Sequence, residues 1–341
     1  MKYKQLGHTG LYVSELTLGT MTFDDEGGSY AGLMGATGQD LATRMVDLSI
    51  EAGINIFDTA NVYSSGVSEE MLGQALGARR QDVLIATKVY NTMTTGPNDL
   101  GTSRLAIMRE VEASLKRLGT DYIDLYQVHN FDITTPLEET LRALDDLVRQ
   151  GKVRYIGLSN FAGWQIAKAD GLARQLGTER FASAQSYYSL AGRELERDVI
   201  PAVRDLGLVT FIWSPLASGF LSGKYTRNGE AAGRRAKFEF PPVDKDQGFD
   251  IIDVLAQIAE AKTASVAQVA LAWLLHKPGV TSVIVGARKE EQLIDNLGAS
   301  DIALGDDEMA RLDEVSALKP EYPGYLPQMR RGDSLFARRN G

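Results

Sequence analysis

Short apolar runs alternate along this chain with stretches whose apolar positions recur every third or fourth residue. The first pattern fits strands buried on both faces, the second amphipathic helices. LTLGTM, from Leu16 to Met21, predicts the first strand, and a glycine-rich segment from Asp24 to Gly38 follows neither period. Leu41, Met45, Val46, Leu48 and Ile50 then set out a helix ending at Gly53, a residue type suited to a C-terminal cap. Ile54 to Phe57 predicts strand two, Val67 to Leu76 a helix stopped by Gly77, and Val83 to Val89 strand three. Leu105, Met108, Val111, Leu115 and Leu118 mark one face of a helix closed by Gly119. Strand four is expected over Tyr122 to Val128. Thr135-Pro136-Leu137-Glu138 reads as a capping box with proline at the first helical position, opening a helix that runs to Gly151. The alternation continues with strand five (Val153 to Leu158), a helix from Trp164 to Leu176, and strand six (Phe181 to Gln185). A helix from Leu195 to Leu206, strand seven (Leu208 to Trp213) and a long loop from Ser214 to Gly248 come next. Helices over Ile251 to Ala261 and Val266 to Leu275, strand eight (Ser282 to Val285) and a helix from Glu290 to Leu297 complete the series. The tail from Asp306 holds one more helix and an irregular basic end.

Strands that alternate with helices pair in parallel through right-handed crossovers. No Pro/Ser-rich linker or break in composition divides the chain. The expectation is therefore an α/β protein, a (β/α)8 TIM barrel forming a single domain over residues 1–341, with loop 214–248 and tail 318–341 as appendages. An open doubly wound sheet is the alternative, but it carries a glycine fingerprint directly after its first strand. Gly32, Gly35 and Gly38 have the wrong spacing for one and no strand immediately before them. Gly219-Phe-Leu-Ser-Gly223-Lys224 is one residue short of a P-loop and lacks its Ser/Thr.

Composition narrows the chemistry more than the fold. No apolar run approaches the ~18 residues of a membrane helix. The opening MKYKQLGHTG is positively charged without the apolar stretch of a secretory signal, so a cytoplasmic protein with no membrane insertion is expected. The absence of cysteine excludes disulfides, zinc–thiolate sites and cysteine nucleophiles. His8, His129 and His276 are the only histidines, which leaves few metal ligands and disfavours a metal-dependent barrel hydrolase. A net charge of −9 argues against nucleic acid, whose phosphates call for a basic surface. A small molecule is the expected partner, and a homo-oligomer is left open.

In such a barrel the site forms at the C-terminal ends of the strands. Those ends carry Asp58, Lys88, His129, Ser159 with Asn160, Gln185, Trp213 with Ser214, and Gly286; Tyr63 follows shortly after Asp58. Singly, each has a plain structural reading. Asp58 caps the next turn, Lys88 snorkels to water, and Tyr63, His129 and Trp213 pack. A lysine kept inside needs a carboxylate, however, and Asp58 lies one strand over. Together the residues have a chemical logic. A tyrosine, with an ordinary pKa of about 10, is a poor proton donor at neutral pH. A neighbouring ammonium favours its phenolate, and a carboxylate holds the ammonium in place. A histidine can then orient the substrate oxygen or relay a proton. An acid aimed at a developing alkoxide is what carbonyl reduction by hydride transfer requires.

Asp58, Tyr63, Lys88 and His129, in that order on strands two to four, resemble the catalytic tetrad of the aldo-keto reductases. The resemblance extends through Leu18-Gly19-Thr20, FDTANVY with SEEMLG, IATKV, LKRLGTDYIDLYQVH, GKVRYIGLSNF, WSPLASGFLSGKY and VIVGARKEEQLIDN, from Lys4 to Asn296. The LASGFLSGKY phrase is most similar to the branch holding bacterial aldo-keto reductases and potassium-channel β subunits. By that resemblance Tyr63 is the acid, Lys88 and Asp58 tune it, and His129 orients the carbonyl. Gly19, Thr20 and Met21 lie under the nicotinamide; Ser159, Asn160 and Gln185 hold its carboxamide; Trp213 stacks on its ring. Ser214, Pro215, Leu216, Ser218, Gly219 and Lys224 face the pyrophosphate. Gly286, Arg288, Gln292 and Asn296 take the adenosine end, with Arg288 and Lys289 forming a 2′-phosphate site that implies NADPH over NADH. Some relatives carry lysine and serine where this chain has Gly286 and Ala287, which leaves the preference on Arg288. Phe23, Tyr90, Phe131 and Tyr188 are candidate substrate contacts, and Tyr322 and Tyr325 could close the pocket. The implied function is reversible NADPH-dependent reduction of an aldehyde or ketone; a cofactor-sensing subunit like the channel β subunits is the alternative.

Overall fold

The computed structural model of the protein describes residues 1–25, 36–227, 235 and 239–326. Most of the glycine-rich segment 24–38, parts of the 214–248 loop and the tail from 327 lie outside the described residues.

A short antiparallel hairpin, β1 (Tyr3–Gln5) and β2 (Tyr12–Ser14), comes first. The barrel strands follow: β3 (Leu16–Gly19), β4 (Ile56–Asp58), β5 (Leu84–Val89), β6 (Ile123–Val128), β7 (Val153–Ser159), β8 (Ser183–Tyr187), β9 (Val209–Trp213) and β10 (Val280–Val285). They close in the order β10-β3-β4-β5-β6-β7-β8-β9, and every pair is parallel. This is the closed (β/α)8 barrel that the alternation predicted.

The pleat divides each strand between two cores. Ile56, Ala86, Leu125, Phe211 and Ile284 fill the barrel interior. Leu18, Phe57, Ile85, Val128, Leu158, Ile212 and Val283 face the surrounding helices. Leu6 and Val13 of the hairpin belong to the interior cluster and close the barrel at its N-terminal end. The hairpin escaped the hydrophobic pattern because its strands are only three residues long, with Tyr3 and Tyr12 exposed.

Ten α-helices lie among the described residues: α1 (Gln39–Glu51), α2 (Val67–Leu76), α3 (Arg104–Leu118), α4 (Leu137–Arg149), α5 (Gly163–Leu176), α6 (Val199–Leu206), α7 (Lys245–Lys262), α8 (Val266–His276), α9 (Glu290–Leu297) and α10 (Asp306–Val315). None is by itself long and apolar enough to cross a membrane. Ser103 caps α3 through a bond from the Ala106 N–H, and Gly119 ends it at φ 63°. The expected capping box at Thr135 is not formed. Pro136 occupies the N-cap position without a side-chain bond. The N–H groups of Thr134 and Thr135 donate instead to Asp132 Oδ1, a charged acceptor stronger than a hydroxyl. The helix expected over Leu195 to Leu206 is split into a 3-10 turn (Glu194–Glu196) and α6.

Helix α2 approaches α3 at Gly73, where a Cβ would lie 2.4 Å from the Leu118 carbonyl oxygen. Gly73→Ala should therefore destabilise the protein by about 1–3 kcal/mol through overpacking, outweighing the gain of about 1 kcal/mol that alanine brings to a helix. Urea unfolding of the two proteins measures which effect wins.

Candidate active site

The same alternation that fills the barrel aims the site residues. On the inward-facing register stand Asp58 on β4, Lys88 on β5, Gln127 on β6, Ser159 on β7, Gln185 on β8 and Trp213 on β9, all towards the C-terminal ends. A charged pair forms the centre. Lys88 Nζ donates to Asp58 Oδ1 at 2.5 Å and to the Thr59 carbonyl at 2.7 Å. The Lys88 side chain is 0% and that of Asp58 5% exposed, so water contributes little to holding either charge. Burial pulls the Lys88 pKa down, but Asp58 and Tyr63 beside it outweigh burial and hold it above the ordinary value. The amine is therefore an ammonium.

Tyr63 reaches this ammonium from the loop after β4, with Nζ 3.4 Å from its hydroxyl and 4.9 Å from its ring centroid. Ser64 and Ser65, which follow, take left-handed φ values of 48° and 55°. Behind them Asn61 donates to Glu110 Oε2 of α3 at 3.1 Å, and the Asn61 N–H donates to the Lys88 carbonyl at 3.4 Å. Non-glycine residues in that region cost about 1–3 kcal/mol each and concentrate where surrounding contacts impose the shape.

His129 completes the group, its ring edge-on to Tyr63 at 5.9 Å. Burial and the Lys88 charge lower its pKa to about 3, so the imidazole is neutral at physiological pH. The Asn91 amide nitrogen lies 3.1 Å from Nδ1. With Asn91 donating, Nδ1 accepts and the ring proton resides on Nε2. Asn160 donates to the His129 carbonyl at 2.9 Å and accepts from Trp213 Nε1 at 3.1 Å, which joins three strand ends into one rim.

The remaining expected site residues divide by what already occupies them. Ser159 Oγ is buried with no hydrogen-bond partner among the described residues. Gln185 instead spends its amide on Asp58 Oδ2 at 2.7 Å. Thr20 is fully buried and bonds Ser68, while Gly19 and Met21 are half-buried beside it. Trp213 lies between Tyr187 at 5.2 Å and Phe240 at 5.9 Å. In the turn after β9, Ser214, Ala217, Ser218 and Gly219 all have positive φ, and the Ser218 N–H donates to Ser214 Oγ at 3.0 Å. Pro215 is buried, Leu216 half-buried and Lys224 exposed. Arg235 anchors this turn by donating to the carbonyls of Ala217 at 3.1 Å and Pro241 at 2.8 Å. Gly286 and Arg288 are exposed at the end of β10. Gln292 accepts from the Arg288 N–H at 3.1 Å and Asn296 donates to the Gly286 carbonyl at 3.5 Å, so α9 braces that turn.

Two of the four expected substrate contacts lie in the outer core. Phe23 is fully buried in the outer core. Tyr188 is one residue out of the inward register: it packs on Trp273 at 5.3 Å and its hydroxyl donates to Glu196. Tyr90 and Phe131 are half-buried, Phe131 packing edge-on against Phe161 at 5.1 Å and Trp164 at 5.9 Å. Tyr322 and Tyr325 pair with each other at 6.2 Å. Sequence reasoning missed Gln127, Asn91, Tyr187, Phe240 and Arg235. Gln127 had a signal, standing two residues before His129 on the same face of its strand.

A closed barrel whose C-terminal end holds an ammonium, a carboxylate, a phenol and a neutral imidazole defines a class, and comparison with known proteins agrees with it. The model of the Aldo/keto reductase family matches residues 15–317, and the chain belongs to that family. It is a nicotinamide-dependent oxidoreductase. An uncharacterized oxidoreductase of Bacillus subtilis, YrpG, is 40% identical over 92% of this chain and 96% of its own length. A probable voltage-gated potassium channel subunit beta of rice is 37% identical over 89% of this chain and 92% of its own. The versiconal hemiacetal acetate reductase of Aspergillus parasiticus is 34% identical over 95% of this chain and 99% of its own.

Asp58→Asn should cost about 3–5 kcal/mol in chemical unfolding, because it strands a buried ammonium. Adding Lys88→Met to Asp58→Asn should recover much of the loss, a coupling that a double-mutant cycle reads directly. His129 offers a test by pH. Its folded pKa of about 3 lies below the ordinary 6.5, so the stability its neutral ring contributes is complete above pH 6.5 and lost as pH falls. The wild type should thus lose stability relative to His129→Asn as unfolding is measured at successively lower pH from 6.5.

Proposed function

We propose that this protein reduces an aldehyde or ketone to an alcohol, reversibly, with NADPH, and that Tyr63 is the general acid. The observation that carries this reading is the placement of the Tyr63 hydroxyl 3.4 Å from an ammonium that is itself sealed onto Asp58. A dihydronicotinamide held at this end of the barrel would supply the hydride that the carbonyl carbon accepts. The chain's own task is to manage the oxygen. As negative charge develops there, Tyr63 transfers its phenolic proton to that oxygen. Lys88 stabilises the phenolate left behind, and Asp58 keeps Lys88 in place without taking its proton. His129, neutral with its proton on Nε2, donates a hydrogen bond to the carbonyl oxygen and aligns it with Tyr63. In the alcohol-oxidising direction the same phenolate takes the proton back.

The buried Ser159 hydroxyl, unpartnered among the described residues, fits a nicotinamide carboxamide, which offers both a donor and an acceptor. Asn160, Gln185 through its remaining amide capacity, and Trp213 would complete that end; Ser214 to Gly219 with Lys224 would meet the pyrophosphate. Arg288, exposed on a turn braced by Gln292 and Asn296, suits a 2′-phosphate. Tyr90 and Phe131 would line the approach of the carbonyl substrate. The likeness to plant channel subunits is compatible with the same chemistry and does not displace it.

Tyr63→Phe should abolish carbonyl reduction while NADPH still quenches tryptophan fluorescence with nearly unchanged affinity. Near-wild-type turnover in that variant would remove Tyr63 from the mechanism. Arg288→Ala should weaken NADPH much more than NADH, by about tenfold or more for the loss of one charge-assisted contact. Equal weakening of both cofactors in the same titration would show that Arg288 does not read the phosphate.

A further inference from the structure

One side chain touches the central ion pair and has no part in the proton transfer described above. Gln127, fully buried on β6, donates its amide to Asp58 Oδ2 at 3.2 Å. Gln185 donates to the same oxygen at 2.7 Å, and Lys88 takes Oδ1 at 2.5 Å. The two carboxylate oxygens are thus divided, one facing a full charge and the other two neutral amides. Such a glutamine inside a barrel packed with Ile56, Ala86, Leu125 and Phe211 is costly to bury unless it is bonded.

Room for it comes from the neighbouring strand. Gln127 is in register with Lys88 on one side and Gly157 on the other. A Cβ on Gly157 would lie 3.0 Å from Gln127 Cγ and 2.6 Å from Ser183 Oγ. The missing side chain on β7 is a notch into which the Gln127 stem fits.

We propose that Gln127 is a positioning residue for the acid: seated in the notch at Gly157, it fixes the Asp58 carboxylate so that Oδ1 stays on Lys88 while its negative charge is drawn towards Oδ2. In this form the role of Gln127 rests on the reading of Tyr63 as the acid. An amide bond to Oδ2 disperses charge that would otherwise neutralise Lys88. A less neutralised ammonium acts more strongly on the Tyr63 hydroxyl. The ionisable groups seen at Tyr63 among the described residues include Lys88 on β5, with Asp58 of β4 behind it, and the neutral His129 just after β6. Gln127 changes none of these; it sets where the charge of Asp58 sits.

Gln127→Met keeps the length of the side chain and removes the donor. The alkaline limb of the kcat/KM profile for reduction should move up by about half a pH unit, and kcat at a fixed alkaline pH should change by the corresponding factor of about three. KM for cofactor and carbonyl substrate should stay within about twofold, since the Gln127 side chain is fully buried beneath Asp58. The same upward shift should appear without cofactor in the near-ultraviolet tyrosinate titration, taken for each protein as the difference from its Tyr63→Phe counterpart. Gly157→Ala, which drives Gln127 from its notch, should reproduce both shifts and serves as the test if Gln127→Met does not fold. Folded variants with unmoved profile and unmoved titration overturn the inference while leaving Tyr63-dependent reduction intact. A raised KM or lowered melting temperature with neither shift shows a packing role alone and overturns it equally. If the wild type reduces no carbonyl compound, the reading of Tyr63 falls, and the cofactor-free titration still decides whether Gln127 acts on that hydroxyl.

Discussion

A lysine ammonium with no exposed side-chain surface is the constraint around which this molecule is arranged. Such a charge is held inside a protein by a counter-charge and a set of acceptors, because desolvation costs several kcal/mol, a large part of a domain's stability. Asp58 supplies the charge, and the Thr59 carbonyl and Tyr63 hydroxyl supply acceptors. Strands β4 and β5 must therefore be adjacent and in the register that opposes Asp58 to Ala86, which leaves Lys88 one inward position beyond and free to reach back. A one-residue slip would turn Lys88 outward among the helices and leave Asp58 unpaired.

The outer layer holds that geometry from behind. Thr87, the outward neighbour of Lys88, donates to Glu69 Oε1 at 2.6 Å, and Arg117 donates to Glu69 Oε2 at 2.7 Å. Glu110 receives Asn61, which is two residues from Tyr63. Buried carboxylates on α2 and α3 thus fix the backbone that presents both Lys88 and Tyr63. On the other side of the site, Asp132 organises the loop after His129. Burial would raise its pKa, but bonds from Thr134, Thr102 and Thr135 outweigh burial and hold the carboxyl well below the usual range. It therefore stays charged at neutral pH and ties Thr102, Thr134 and Thr135 together.

Charge is rationed within the site itself. Lys88 stays cationic and His129 stays neutral, so a single positive charge faces the phenol. A second one on the imidazole would repel the first, and the difference in charge between the two residues follows from desolvation together with like-charge repulsion.

Much of this was legible in the chain. The alternation of double-buried strands with amphipathic helices is a local signal, so the (β/α)8 barrel and the polar residues at its strand ends could be read from periodicity alone. Asp58, Lys88 and His129 could be grouped because barrel topology puts successive strand ends side by side. What could not be read depended on contacts between distant segments. The hairpin that closes the barrel is too short to show a period. Tyr188 looks like a rim aromatic until parity turns it outward, and Phe23 until packing buries it. Gln185, expected on the cofactor, has its amide drawn to Asp58. Gln127 gains its meaning from a glycine thirty residues away, which the chain sequence alone places next to nothing in particular. Sequence by itself determined which residue types arrive at the mouth of the barrel, because a period of two along a buried strand dictates facing. Only the tertiary structure decided which of them bond to one another, because a hydrogen bond depends on distances that closure of the barrel sets.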